Sequence, residues 1–387
     1  MRVSMTWLRP VALAMACAAV IYGLACGGSS GGNVTNKLAA NQELRVRIAG
    51  DPSTLDPQLA AFADEISIVK QLYRGLFTYD RDLNVVPAVA ADLPTLENGG
   101  ISADGLTSTI NLRSDATWSD GAPVTAQDFV YAFQRLFDPA AGAQGYYFDF
   151  YTSISGAAEF AYDEGGSADG VGVTAVDDDT LQISLAEPKP TLHELLALWP
   201  AVPLRQDVID AHPDDWTQPA NFVGDGPFVL ADYSEGEQVT LEANASYWGD
   251  DEPTLQTLVY RIIPDDSAAL VAYQNNEIDM TSIPAAYAAD LEGDDEQVRF
   301  PQLETYAIQY NTQQVPFDKP AVRQAISRAI DRDAYVSVVR GGVGTPTTSW
   351  LPANMPGGDA SGAGIDVMSI SLFWYATSAA LSSGMIL

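Results

Sequence analysis

At 387 residues, with 51 acidic against 19 basic side chains and a formal net charge of −32, the chain is long enough for two or more domains with sizeable cores. Its charge repels nucleic acid and anionic lipid, which excludes both as expected partners. The only cysteines, Cys17 and Cys26, lie near the start, so the body behind them carries no disulfide and its stability must come from its core.

Arg2 and Arg9 precede an apolar run from Val11 to Leu24, shorter than the ~20 residues a spanning helix needs, so residues 1–25 read as a secretory signal; an uncleaved membrane anchor is the alternative. Cys26 follows Gly23-Leu24-Ala25 and is followed by Gly27, Gly28, Ser29, Ser30, Gly31 and Gly32, a flexible tether over 26–42. This arrangement resembles a bacterial lipoprotein signal, which implies lipidation of Cys26 and a body outside the cytoplasm.

Leu44–Ala49 alternates as a strand. Asp51-Pro52-Ser53-Thr54-Leu55-Asp56-Pro57 turns the chain, and Ile66, Val69, Tyr73, Leu76 and Phe77 recur at helical spacing, with the helix ending near Gly75 to Thr78. Leu106–Leu112 alternates again. Ser119-Asp120-Gly121 is a turn, after which Thr125 and Asp128 predict an N-cap and its capping-box partner for a helix stopped by Asp138-Pro139. The loop Gly142–Ile154 is dense in aromatics, either core or ligand platform. Val171–Val176 and Thr180–Leu185 form a hairpin around Asp177-Asp178-Asp179, and Pro188-Lys189-Pro190 precedes a short helix over Leu192–Leu198.

Gly224-Asp225-Gly226-Pro227 opens a second hairpin, Phe228–Tyr233 and Val239–Ala243, turning at Glu235-Gly236. Strand Leu258–Ile263, helix Ser267–Asn275 and strand Ile278–Ile283 follow, an alternation that predicts a mixed α/β sheet. Tyr306–Tyr310 reads as another strand, and Asp318 as the cap of a helix with Pro320 in its first turn and Val322, Ala325, Ile326, Ala329 and Ile330 on one face. From Val367 to Leu387 no residue is charged. This tail is expected to derive from a change of reading frame, with a C-terminal anchor as the alternative.

Catalytic signals are absent. His193 and His212 are isolated, no thiol remains in the body, and no Gly-rich phosphate loop ends in Lys-Ser/Thr, so neither a metal nor a cofactor nor a nucleophilic triad is expected. Paired carboxylates arise by chance among 51 acids and discriminate nothing.

A series of short strings then carries a resemblance. They are T-L-D-P at Thr54–Pro57, L-Y-R-G-L at Leu72–Leu76, and W-S-D-G-A-P-V-T-A-Q-D-F-V-Y-A-F-Q-R from Trp118 to Arg135. G-D-G-P-F-V-L at Gly224–Leu230, Y-W at Tyr247-Trp248, N-E-I-D-M at Asn276–Met280 and V-R-Q-A-I-S-R-A-I-D-R at Val322–Arg332 follow in order. Together they resemble the extracytoplasmic solute-binding proteins of ABC importers, in the peptide/nickel-binding class related to oligopeptide-binding proteins. The resemblance implies an α/β, two-lobe periplasmic-binding-protein-like fold of the class II type with an extra small domain. Lobe I would hold 43–80 and 186–280, the small domain 81–185 and a partial, incomplete lobe II 281–366, with 367–387 as an anomalous tail. It implies a monomeric, non-enzymatic lipoprotein that captures a peptide or similar small solute by lobe closure and delivers it to ABC permease subunits. Cleft contacts carried over by position are Ala61, Phe62, Ala63, Tyr146 and Tyr147, with Thr281 and Ser282 at the hinge and cleft wall; all could instead be packing residues. A secreted α/β hydrolase and a non-functional truncated relic are the competing readings.

Overall fold

The structure, a computed structural model, describes residues 42–80, 82–162, 164–288, 290–294, 296–298, 305–349 and 351. The readings made for Cys17, Cys26 and 367–387 fall outside the described residues.

The chain begins with β1 (Glu43–Ile48) and α1 (Ala63–Leu72), then the short antiparallel pair β2 (Phe77–Tyr79) and β3 (Val85–Pro87). Next come β4 (Thr107–Asn111), α2 (Ala126–Phe137), α3 (Ala157–Ala161), β5 (Val173–Asp177) and β6 (Thr180–Ser184). α4 (Leu192–Leu196), α5 (Gln206–Ala211), β7 (Phe228–Ser234), β8 (Gln238–Ala243), β9 (Thr257–Ile262), α6 (Asp266–Gln274) and α7 (Pro320–Ala329) follow, with a further helical stretch, Arg332–Ala334 and Tyr335–Val339, after them. One sheet runs β1-β9-β8-β7, with β1 and β9 parallel and the other pairs antiparallel; a second, β4-β6-β5, is antiparallel throughout. The mixed sheet expected from the strand-helix alternation is therefore present.

The start of α2 follows the sequence closely. Gly121 takes φ +86° in the turn and donates its N–H to the Trp118 carbonyl at 2.8 Å. Thr125 is the N-cap, and its N–H and hydroxyl donate to the Asp128 carboxylate at 2.8 and 3.0 Å. Trp118, fully buried, donates its indole N–H toward the same carboxylate at 3.4 Å. The acidic hairpin turn is pinned from both sides: the Asp178 carbonyl accepts from Ala126 N–H and the Asp179 carbonyl from Leu112 N–H.

Four expectations are corrected. α1 stops at Leu72 rather than near Gly75–Thr78, because the Gly224–Pro227 loop crosses its end: Gly226 N–H donates to the Leu72 carbonyl at 3.0 Å, and Asp225 Oδ1 accepts from Arg74 N–H at 2.9 Å. Ile278–Ile283 forms no strand; Met280 alone bridges Val46, in parallel. Tyr306–Tyr310 forms no strand, and Tyr306 and Ile308 are exposed. α7 has Lys319, not Asp318, as its N-cap, and none of its residues is buried.

Two apolar clusters organise the core. One joins Trp118, Phe129, Phe133 and Phe137 to the β4-β6-β5 sheet through Ile110, Leu181 and Ile183; the other joins Ile66, Val69 and Leu72 of α1 to Leu230, Val239 and Leu241 of the β7-β8 hairpin. α2 contributes to both, since Ala132 sits in the second cluster.

Candidate functional site

β1 and β9 point the same way, and Met280 pairs with Val46 in the same sense, so the segments after Ile48, Ile262 and Met280 all leave at one carboxyl edge. In open α/β sheets this is the edge at which crevices for ligands form. Arg47, at the end of β1 and 9% exposed at its side chain, gathers the three segments. Its guanidinium donates to the carbonyls of Ile263 (2.8 Å) and Pro264 (3.0 Å), pairs with Asp266 (2.7 Å), and reaches Ser282 Oγ at 3.4 Å. Thr281, half-buried, directs its hydroxyl to the Ser282 carbonyl at 3.5 Å.

The loop after β1 is shaped by carboxylates. Asp64 Oδ2, in the first turn of α1, accepts from Ala49 and Gly50 N–H at 3.0 and 3.3 Å. Glu65 is buried and accepts from Ser53 N–H (3.0 Å), Ser53 hydroxyl (2.5 Å), Ala61 N–H (2.9 Å) and Phe62 N–H (3.1 Å). Asp56 forms a buried ion pair with Arg135 of α2 at 2.6 Å, and the same guanidinium donates to Gln58 Oε1 at 2.5 Å while Gln58 Nε2 donates to the Ala132 carbonyl at 2.6 Å. The T-L-D-P and F-Q-R strings, far apart in sequence, thus meet at one ion pair.

This scaffold places the expected contact residues. Phe62 is the N-cap of α1 with its ring 69% exposed, Ala63 is the exposed first helical residue, and Ala61 is half-buried. Tyr147 is buried: its hydroxyl donates to the Ala61 carbonyl at 3.4 Å, and its ring meets Trp199 edge-on at 4.7 Å. Trp199 in turn donates its indole N–H to the Ala60 carbonyl at 2.9 Å. Tyr146, exposed, stands edge-on to Tyr147 at 5.1 Å. Burial pushes the Tyr147 hydroxyl up to about 12, so it stays a neutral donor. Ala61–Ala63 and Tyr146–Tyr147 therefore come together in space, Tyr147 beneath and Phe62 and Tyr146 outward. Thr281 and Ser282 are tied to the same edge through Arg47.

Sequence reasoning missed Glu65, Asp64, Arg47, Gln58 and Trp199. Only the acids carried a signal, as residues of a first helical turn. Chemically the edge offers hydrogen-bonding main chain and aromatic faces. Among the described residues, no group of three or more His, Cys, Asp or Glu is arranged to hold a metal, His193 packs edge-on against Phe77, and His212 lies 3.5 Å from Asp215.

Comparison with known proteins gives the family. The family description "Bacterial extracellular solute-binding proteins, family 5 Middle" matches residues 84–366, more than half of the chain. The chain belongs to this family. It is 33% identical over 319 residues to the periplasmic oligopeptide-binding protein OppA of Escherichia coli K12, covering 81% of this chain and 57% of that protein. It is 35% identical over 318 residues to the periplasmic murein peptide-binding protein MppA of the same organism, covering 81% and 58%. The solved structure of the E. coli murein tripeptide binding protein MppA superposes with a TM-score of 0.75 at 34% identity, covering 83% of this chain and 62% of that one. The fold is thus the α/β, periplasmic-binding-protein-like one that the resemblance implied. The chain spans somewhat over half the length of these relatives.

Proposed function

We propose that this family member is the non-enzymatic solute-binding component of a peptide-type ABC importer. It captures a peptide or similar small solute outside the cytoplasm by lobe closure and hands it to the membrane permease. In this reading 43–80 and 186–280 belong to lobe I, 81–185 to a small domain and 281–366 to part of lobe II. Residues 1–25 are a signal peptide, 26–42 a tether, and lipid on Cys26 holds a monomer to the outer face of the cytoplasmic membrane. The carrying observation is the carboxyl edge of β1 and β9, where Phe62 is presented by a loop locked on Glu65, Tyr146 stands exposed beside Tyr147, and Arg47 reaches Ser282. Exposed aromatic faces beside ordered main chain suit an extended peptide, which is held by main-chain hydrogen bonds with pockets for alternate side chains.

Titration calorimetry of the full chain with an equimolar mixture of tri- to pentapeptides tests the reading. Saturable 1:1 heat that falls at least tenfold in affinity in Phe62→Asp, with an unchanged circular dichroism spectrum, is expected. No heat with any peptide length, or heat indifferent to Phe62, overturns it. For the anchor, labelled palmitate should enter the wild-type chain in cells and fail to enter Cys26→Ser; equal labelling would remove Cys26 from its role.

A further inference from the structure

A cavity of about 140 Å³ lies outside the β1-β9 edge, between the segment 101–105, the start of β4 and the run Pro188–His193. Its apolar wall includes Ile101, Leu185 and Leu192. Ser108, Lys189 and His193 also line it, and their polar groups stand out for one shared reason. The Ser108 hydroxyl is buried and has no hydrogen-bond partner, although Ser108 alternates with Ile110 on the buried face of β4. A buried hydroxyl left unpaired costs about 1–3 kcal/mol, so an apolar residue would stabilise this strand more. Lys189 carries one of the chain's few ammonium groups, and among the described residues neither it nor the His193 imidazole has a hydrogen-bond or salt-bridge partner; His193 is held by its edge-on contact with Phe77 at 5.3 Å. The prolines on both sides of Lys189 restrict the main chain that presents it.

We propose that this cavity is a second binding site, which takes a small amphipathic carboxylate whose apolar body lies against Ile101, Leu185 and Leu192 and whose oxygens are received by the Lys189 ammonium and, once its side chain turns toward the cavity, by the Ser108 hydroxyl. The volume is close to the ~150 Å³ of an apolar cavity that holds benzene, so the body has about six to eight heavy atoms. A single cation and a mostly apolar wall favour a monoanion over a phosphate, which needs several donors for its charge. Burial lowers the His193 pKa against the raising influence of Glu194, so at pH 7 the ring is neutral and offers one N–H without competing with Lys189 for charge. The site is independent of the solute captured at the carboxyl edge.

With only two histidines in the chain, the imidazole C2 protons give a two-line probe, assigned with His212→Gln. Benzoate added to the full chain at pH 7 should move the His193 line saturably and leave the His212 line in place. Benzyl alcohol, of the same shape without the charge, should bind at least tenfold more weakly. Lys189→Met should weaken benzoate at least tenfold and Ser108→Val several-fold, with the His212 line unchanged as the sign of an intact fold. Movement of neither line, equal movement of both, equal binding of benzyl alcohol, or an undiminished affinity in Lys189→Met overturns the proposal.

Discussion

Glu65 decides the shape of the loop from Ser53 to Phe62, because four donors converge on its buried carboxylate. Glu65→Ala leaves those donors without their acceptor and is expected to cost about 2–4 kcal/mol of stability, read from urea denaturation. A loss within 0.5 kcal/mol, on the scale of an ordinary surface change, would contradict this. Asp225 behaves differently. It is fully buried, its Oδ2 has no partner, and burial pushes its carboxyl up to about 8 despite the Arg74 N–H bond and the Arg74 charge. A carboxyl whose folded pKa lies above its unfolded value binds more protons when folded. Its contribution is then complete below about pH 4 and is lost as pH rises through about 8, at a slope of at most ~1.4 kcal/mol per pH unit. Asp225→Asn should flatten that part of the stability profile between pH 5 and 8, and an unaltered slope would show that the group titrates normally. Asp56 and Arg135 were both visible in the sequence as members of recurring strings. Their pairing was not, because nothing local to either residue encodes a contact made across most of a hundred residues.

At the scale of elements, the close approach of the Gly224–Pro227 loop to α1 explains Gly224 and Gly226, whose added β-carbons would both run into main chain at the end of that helix. A β-carbon on Gly226 would stand 2.5 Å from the Gln71 carbonyl oxygen and the Leu72 carbonyl carbon, both main chain. Gly226→Ala should therefore cost about 1–3 kcal/mol, with a lowered melting temperature as the readout. A β-carbon on Gly145 would overlap the Gln58 carbonyl, so Gly145→Ala should push Tyr146 and Tyr147 away from Ala61 and, on the proposed function, weaken peptide binding in titration calorimetry more than it lowers the melting temperature. The capped start of α2 and both long hairpins were legible because turn residues and periodicity agree there. β2, β3, α3 and α5 were not, since runs of three to six residues are too short to show a period. Ile278–Ile283 misled because alternation registers the possibility of pairing, whereas only Met280 forms a bridge to a neighbouring strand, at Val46.

Across the molecule, α2 stands in both apolar clusters and is bolted to the loop after β1 by the Asp56–Arg135 pair. Residues 42–288 should therefore unfold as one cooperative unit. Tryptophan fluorescence, with Trp118 in one cluster and Trp199 and Trp216 in the other, should give the same urea midpoint as far-ultraviolet circular dichroism; two separated midpoints would show the clusters melting independently. The charge of −32 adds a second expectation at this scale. Self-repulsion is screened over ~10 Å at 0.1 M salt and ~3 Å at 1 M, so the melting temperature should rise with salt, and no change would show that the net charge does not strain the fold. Overall class and family were readable from composition and ordered strings, while the cavity beside His193 was not, because its lining comes from three separate segments. One last feature is mechanical. Arg45 grips Asp279 with its main-chain N–H and both arms of its guanidinium at 2.8–2.9 Å, and Arg47 N–H holds the Met280 carbonyl at 3.0 Å. Pro284, with φ −61°, is stiff by its ring. Between that anchorage and that stiff link run Thr281, Ser282 and Ile283, so their main-chain torsions are expected to take up any turning of the chain beyond, beside the hydroxyl that Arg47 already touches.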